Sequence, residues 1–254
     1  MKTFNKHVRW RVDKKDIFIC DCKRLIDLKV PLKFKEVMGK FSDGLNERDL
    51  KGKENLLFSD FTKLKFLCNL EICQIKKDEF LEAMGILDKG LSKRVRDNKF
   101  LSEKFEKFPE FFIGIFLDNE VVGVICGFPR EDYLLISEIA VDSRFQGRGF
   151  GTKLIKCFEE VASHNYKKIN VGAQDDSIGF YNSLGYKPFL LIQYKKGDYS
   201  VNEFIKNFKI KKKRTGNNYV MLDIEIDKPD LNLLRRYKKK YPKAYFQYIF
   251  SKEL

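Results

Sequence analysis

Residues 133–162 read YLLISEIAVDSRFQGRGFGTKLIKCFEEVA: an apolar run, a turn with glycine at 147, 149 and 151, and a mixed run. This order constrains the fold more than any other stretch. The run at 133–141 fits a strand, and Leu154, Ile155, Phe158, Val161 and Ala162 share one face of a helix. A strand feeding a glycine turn that opens a helix aims free backbone N–H groups and the positive end of the helix dipole at one spot. That is an anion site suited to phosphate. Two phosphate loops are excluded by spacing. A Walker loop needs Gly-Lys-Ser/Thr, whereas Gly151-Thr152-Lys153 has the last two in the other order. A dinucleotide fingerprint needs its third glycine where Thr152 stands, and it should follow the first strand of a βαβ unit.

The surroundings add further signals. FFIGIFL (111–117) and VVGVICGF (121–128) flank Asp118-Asn119-Glu120, which predicts a β-hairpin upstream of the 133–141 strand. Downstream, the pattern predicts a strand over 168–173, a helix over 176–184 and a strand over 187–194. Within them lies Gly179-Phe180-Tyr181-Asn182-Ser183-Leu184-Gly185-Tyr186. Gln146-x-x-Gly149-x-Gly151 together with this later stretch resembles the GCN5-related N-acetyltransferase (GNAT) superfamily, over about residues 69–194. There the first motif is the coenzyme A pyrophosphate loop, and F-Y-x-x-x-G-F/Y is the later signature.

The resemblance implies an α+β fold with a mixed, mostly antiparallel sheet flanked by helices and splayed between strands 133–141 and 168–173. It implies acetyl-CoA as acyl donor and an amine acceptor. Main-chain groups of Ile139 and Val141 would meet the pantetheine arm in the manner of strand addition. Gln146 opens the loop, and the amides of Gly147, Arg148, Gly149, Phe150, Gly151 and Thr152 would hold the pyrophosphate. Gly149 and Gly151 are expected to serve close backbone approach or an unusual φ. Arg148, or Lys153, would neutralise phosphate charge.

Acyl transfer to an amine needs a base for the amine and an acid for the leaving thiolate. The resemblance places Tyr181 near the sulfur as the acid; the alternative is a core aromatic at helical spacing. Glu138 is the acidic residue inside an apolar strand, where a carboxylate is costly unless paired, wetted or functional. It is the candidate base, in competition with a water chain and with Asp175 or Asp176, which also read as helix N-caps. Relatives carry a glutamate on the next strand, and Lys168–Ala173 holds none. Gln174 stands where many relatives have an Asn that contacts the coenzyme. No histidine or cysteine falls in these motifs, so direct attack in a ternary complex is expected rather than an acyl-enzyme.

Composition decides how the flanks are read. The chain has 254 residues, of which 43% are apolar and 34% charged, enough for one large or two modest globular domains. The apolar runs stop short of the roughly 20 residues a membrane span needs. Charges in MKTFNKHVRWRVDKKD interrupt any secretory h-region, so the expected compartment is cytoplasmic. The six cysteines are expected to be reduced, buried small hydrophobes. Cys20-x-Cys22 and Cys68-x4-Cys73 match no common zinc spacing, and Cys20 and Cys22 share a strand face with Phe18 that reads as core; no metal site is expected.

Fifty Lys and Arg stand against 36 Asp and Glu, a net charge of +14, and the excess is uneven: +7 over 1–66, −3 over 67–186 and +10 over 187–254. Residues 1–66 predict a hairpin (8–12 and 16–22), an apolar stretch near 25–31 with no element assigned, a helix over 33–42 ended by Gly44 and a helix over 56–67, an order that fits a small winged-helix-like module. Residues 67–194 are the acetyltransferase-like core. Residues 195–254 predict a basic α/β extension: helix 200–208, a linker KIKKKR, strand 219–226, helix 230–240 and strand 244–251. Three functions remain open at this level. One is N-acetyl transfer to a primary amine of a small molecule or polypeptide. Another is the same transfer on a nucleic-acid-associated substrate docked by the basic flanks, and the third is an acyl-CoA-binding module without catalysis. Basic runs are also ordinary solvated faces, and neither the acceptor, for which 75–110 would be a lining segment, nor the oligomeric state is legible.

Overall fold

Phenylalanine holds the first part of the chain together. The computed structural model describes residues 1–91 and 98–254, with Ile205 described by its backbone alone. It divides into one unit of Met1–Cys126 with Glu138–Val161 and another of Gly127–Ser137 with Ala162–Leu254. The first unit begins with β1 (Lys2–Phe4) and a separate antiparallel sheet of β2 (Val8–Asp13), β3 (Asp16–Asp21) and β4 (Ile26–Pro31), in the order β2-β3-β4. Helices α1 (Lys35–Asp43) and α2 (Lys53–Lys63) follow. The buried rings of Phe4, Phe41, Phe58, Phe61 and Phe66 lie at centroid distances of 5.3–6.2 Å, close enough for tilted and edge contacts. Gly44, at φ +93°, ends α1 as expected.

Two details of this region differ from the sequence reading. Strand β4 occupies what reads as a bare apolar stretch. The turn before it carries neither glycine nor proline. The Asp21 carboxylate makes it instead, accepting the N–H groups of Lys23 and Arg24, with Leu25 at φ +55°. The second concerns the cysteines. Ile17, Ile19 and Asp21 are the buried positions of β3, Phe18 is 38% exposed and Cys22 is exposed. The face read as core therefore looks to solvent. Of the six cysteines Cys68 and Cys126 are buried, Cys20 and Cys157 half-buried, and Cys22 and Cys73 exposed.

The same unit continues with β5 (Leu67–Gln74), α3 (Phe80–Gly90), α4 (Asn98–Lys107), β6 (Phe112–Leu117), β7 (Glu120–Pro129), β8 (Leu134–Val141) and α5 (Phe150–Ser163). Its strands are ordered β1-β5-β6-β7-β8. Every residue of β6 is buried, as is nearly all of β7, because both faces are covered. Ala83, Met84, Leu87, Leu101 and Phe105 of α3 and α4 cluster with Phe112 and Val124, and Phe158 of α5 meets Phe111 at 6.0 Å. A Cβ on Gly123 would sit 3.3 Å from Leu154 Cδ1, so glycine lets α5 lie close on the sheet. The predicted β6–β7 hairpin turns at Asp118 and Asn119, with φ +47° and +70°, both left-handed as a type I′ turn requires. Part of the stretch read as an acceptor lining, residues 92–97, lies outside the described residues.

In the second unit the start of β8 is followed by β9 (Lys168–Gly172), α6 (Ile178–Ser183), β10 (Lys187–Lys195), α7 (Val201–Ile205), β11 (Ile210–Thr215), β12 (Tyr219–Glu225), α8 (Leu231–Lys240) and β13 (Tyr245–Glu253). The strand order is β8-β9-β13-β10-β12-β11. β8 and β9 pair in parallel over Leu134–Ile136 and Ile169–Val171, while the pairs β9–β13, β13–β10, β10–β12 and β12–β11 are antiparallel. The expected mixed, mostly antiparallel architecture holds. The last strand of the chain enters the sheet between β9 and β10, and the segment read as a basic linker is β11, an edge strand whose lysines keep the edge polar. Asp175 and Asp176 are exposed and do not cap α6; Ser177 takes the N-cap position and exchanges hydrogen bonds with the backbone of Gln174. Among the described residues no helix is long and apolar enough to cross a membrane.

Candidate active site

The glycine loop is set between two fixed points. Immediately after β8 the Asp142 carboxylate accepts the N–H of Arg144 at 2.9 Å and pairs with its guanidinium at 2.7 Å. Arg144 also reaches Glu120 at 3.3 Å, and Glu120 pairs with Lys6 at 2.7 Å. The Arg144 hydrogen bond holds the Asp142 carboxyl below the usual carboxylate range, and the Lys6 hydrogen bond does the same for Glu120. These ties wind Ser143–Phe145 into a 3₁₀ turn. Beneath the loop, buried Phe145 stacks on Phe150 with centroids 6.3 Å apart, so both ends of the turn are anchored in the core.

Between the anchors the backbone does the unusual work. Gly147 and Gly149 have φ of +76° and +74°, a left-handed conformation that an ordinary side chain resists. A Cβ on Gly147 would meet no atom within 4 Å, so the turn stands open to a ligand. The helix it opens, α5, is 14 residues long, and its first-turn N–H groups have no acceptor within the helix. This geometry fits a pyrophosphate. Gly151 is the second residue of α5, Thr152 is half-buried beside it, and Phe150 points its ring inward and offers the loop its amide.

Charged side chains around the loop sit differently from the sequence expectation. Half-buried Arg148 donates to the Phe4 carbonyl at 3.2 Å and lies over the Phe145 ring at 5.4 Å; burial lowers its pKa. It ties the loop to β1. Asp43, at the end of α1, stands by the loop: a Cβ on Gly149 would lie 3.4 Å from Asp43 Oδ1. Desolvation raises the Asp43 pKa, and the Lys153 charge opposes the rise. Sequence reasoning missed Asp43 because it comes from a helix more than a hundred residues earlier. Asp142 and Arg144 were legible in principle as an aspartate two residues before its N–H donor at a strand end.

On β8, Leu134, Ile136 and Ala140 are buried and Glu138, on the same face by alternation, is half-buried. Ile139 and Val141 are half-buried on the other face, and the Val141 carbonyl accepts from Gln146 Nε2 at 3.0 Å. In the second unit Tyr181 is 3% exposed on α6, with its ring 5.9 Å from Tyr186 and 5.6 Å from Phe250.

No curated protein matches the sequence. Among solved structures the chain is similar to a candidate acetyltransferase of Pyrococcus horikoshii (19% identity, 50% of this chain and 46% of that one, TM-score 0.44). It is also similar to Ard1 of Thermoplasma volcanium (19%, 62% and 98%, 0.43) and to Arabidopsis thaliana Naa50, solved with a bisubstrate analogue (15%, 73% and 99%, 0.44). This chain thus spans less than half of the Pyrococcus protein and nearly all of the other two. At scores below 0.5 these likenesses carry no argument of their own. The match that counts is to the acetyltransferase (GNAT) family, over residues 71–186, which takes in the strand, the glycine loop, α5 and the Tyr181 motif. Residues 71–186 are a GNAT-family acetyltransferase domain.

Proposed function

We propose that the chain transfers an acetyl group from acetyl-CoA to a primary amine of a small molecule or polypeptide, by direct attack within a ternary complex. The observation that carries this reading is the loop itself: left-handed Gly147 and Gly149 at the head of α5, within the family match. The coenzyme, when bound, supplies an acetyl thioester. The amides of 147–152 hold its pyrophosphate, and Ile139 and Val141 offer main-chain groups to the extended arm. Glu138, or water beside it, takes the proton of the attacking amine as the C–N bond forms. The Tyr181 hydroxyl gives a proton to the sulfur as the C–S bond breaks. The roles of Glu138 and Tyr181 rest on the family resemblance.

Calorimetric titration with acetyl-CoA tests the reading. Micromolar binding is expected in the natural protein, and Gly149→Asp, which puts a carboxylate into the loop, should abolish it. Amines that then release free CoA should turn over more slowly with Tyr181→Phe at unchanged acetyl-CoA affinity. A folded protein that binds neither acetyl-CoA nor CoA would overturn the proposal. Tight binding without transfer to any amine in a broad panel would reduce it to a binding module.

A further inference from the structure

The second unit holds a cavity of about 450 Å³ that the acetyltransferase reading does not use. It lies over the sheet where β9, β13, β10, β12 and β11 run in that order. Six cationic and three acidic side chains line it. Each acid is matched with one cation: Asp132 with Lys212 at 3.0 Å, Glu253 with Lys168 at 3.8 Å, and Asp223 with Arg214. The lining therefore keeps a net positive charge, carried in part by Lys187 and Lys211.

Two buried polar atoms there lack a partner. Asn170 is 6% exposed, and its Oδ1, an acceptor, is buried without a donor. Arg214 Nε, a donor, is buried without an acceptor. Such atoms are costly to bury unmet, so native proteins satisfy nearly all of them. The strand register sets the two apart along this space: Arg214 on β11 is opposite Met221 on β12, and Met221 is opposite Gln193 on β10. Asn170 on β9 is opposite Ser251 on β13, and Ser251 is opposite Lys187 on β10, so amide, hydroxyl and ammonium stand in one row across three strands. The unmet groups call for an anion beside a hydrogen-bond donor, and the volume is that of a small-molecule site.

We propose that this cavity is a second ligand site, specific for a phosphate monoester of a hydroxylated small molecule. Its phosphate lies against Arg214 Nε, Lys187 and Lys211, and one of its hydroxyls donates to Asn170 Oδ1. A sugar phosphate and a mononucleotide share this chemistry. The proposal is independent of the glycine loop, so Gly149→Asp leaves it untouched.

The test is calorimetric titration of the full chain with ribose 5-phosphate, adenosine 5′-monophosphate and inorganic phosphate. Saturable binding of at least one phosphate ester, tighter than inorganic phosphate, is expected, and the two esters separate the sugar source from the nucleotide source. Lys187→Gln with Lys211→Gln, both exposed positions, should weaken it by about tenfold or more with the fold intact. Asn170→Ala should narrow the gap between ester and inorganic phosphate. If that variant fails to fold, 2-deoxyribose 5-phosphate and other deoxy esters make the same comparison on the natural protein. No saturable binding of any of these up to about 10 mM, or binding unchanged in the double lysine variant, would overturn the proposal. So would binding of an oligoribonucleotide with a steep salt dependence while the small esters fail to bind.

Discussion

At residues 146–152 positive potential comes from the main chain, from N–H groups of a left-handed turn at the head of a 14-residue helix. In the cavity of the second unit it comes from side chains, lysines and an arginine on strands as far apart in sequence as 168 and 252. The first arrangement needs glycines at fixed spacing and so leaves a mark in the sequence. The second needs only that cations meet across a sheet, and its residues look like any solvated basic strand. The difference also predicts different failures: a backbone site breaks by conformation, a side-chain site by charge.

After Gly149→Asp, the largest effect should come from Gly147→Val. Open space surrounds that position, so the added side chain meets nothing and acts through φ alone. A β-branched residue forced to φ +76° costs about 2 kcal/mol, which is about thirtyfold in acetyl-CoA affinity if the loop must hold its left-handed turn to bind. Ribose 5-phosphate binding should not change. Titration of both ligands on the one variant reads the comparison directly; equal losses would mean that the two regions are not separate sites.

How much of this was legible follows the same division. The glycine loop, the hairpin at Asp118-Asn119 and helix α5 could be placed because local chemistry dictates each of them. Strand β4 was not seen because its turn is made by the Asp21 carboxylate rather than by glycine or proline. Strand β11 was read as a linker because Lys211, Lys212, Lys213 and Arg214 hide the alternation; pairing with β12, Lys212 opposite Asp223, makes it a strand. The insertion of β13 between β9 and β10 is a long-range choice that no local pattern announces. Arg148 is the instructive case within the site. Its place in the loop predicts a phosphate contact, whereas its guanidinium holds the Phe4 carbonyl.

Arg148 accordingly sharpens the comparison at intermediate size. If it is a tie between loop and β1, Arg148→Ala removes a half-buried charged hydrogen bond and lowers stability by about 1–2 kcal/mol. Acetyl-CoA affinity should then fall by less than about threefold, since on that reading the phosphates are left to the backbone rather than to the guanidinium. Chemical denaturation and titration on the same variant separate the two. A loss of affinity above about tenfold with unchanged stability would return Arg148 to the phosphate and make the loop a mixed site.

The smallest expected effect tests Asp43, an acid that stands against the loop. A carboxylate at Asp43 opposes a bound pyrophosphate, and Lys153 offsets it in part. Asp43→Asn should therefore tighten acetyl-CoA binding, by about threefold given the exposure of the group. The pH dependence follows from the direction of the shift. Desolvation raises the Asp43 pKa in the folded chain, so the folded state binds this proton more readily than the unfolded one. Its contribution to stability is full below the unfolded pKa and is lost as pH rises through the folded one. The advantage of Asp43→Asn over the natural protein, in both binding and unfolding temperature, should thus be present at neutral pH and shrink as the pH falls through the raised pKa. The ligand's own titration cancels in that comparison, since both proteins meet the same coenzyme. A constant difference across the acid range would show that Asp43 acts through packing rather than charge, and the loop would then owe its affinity to backbone geometry alone.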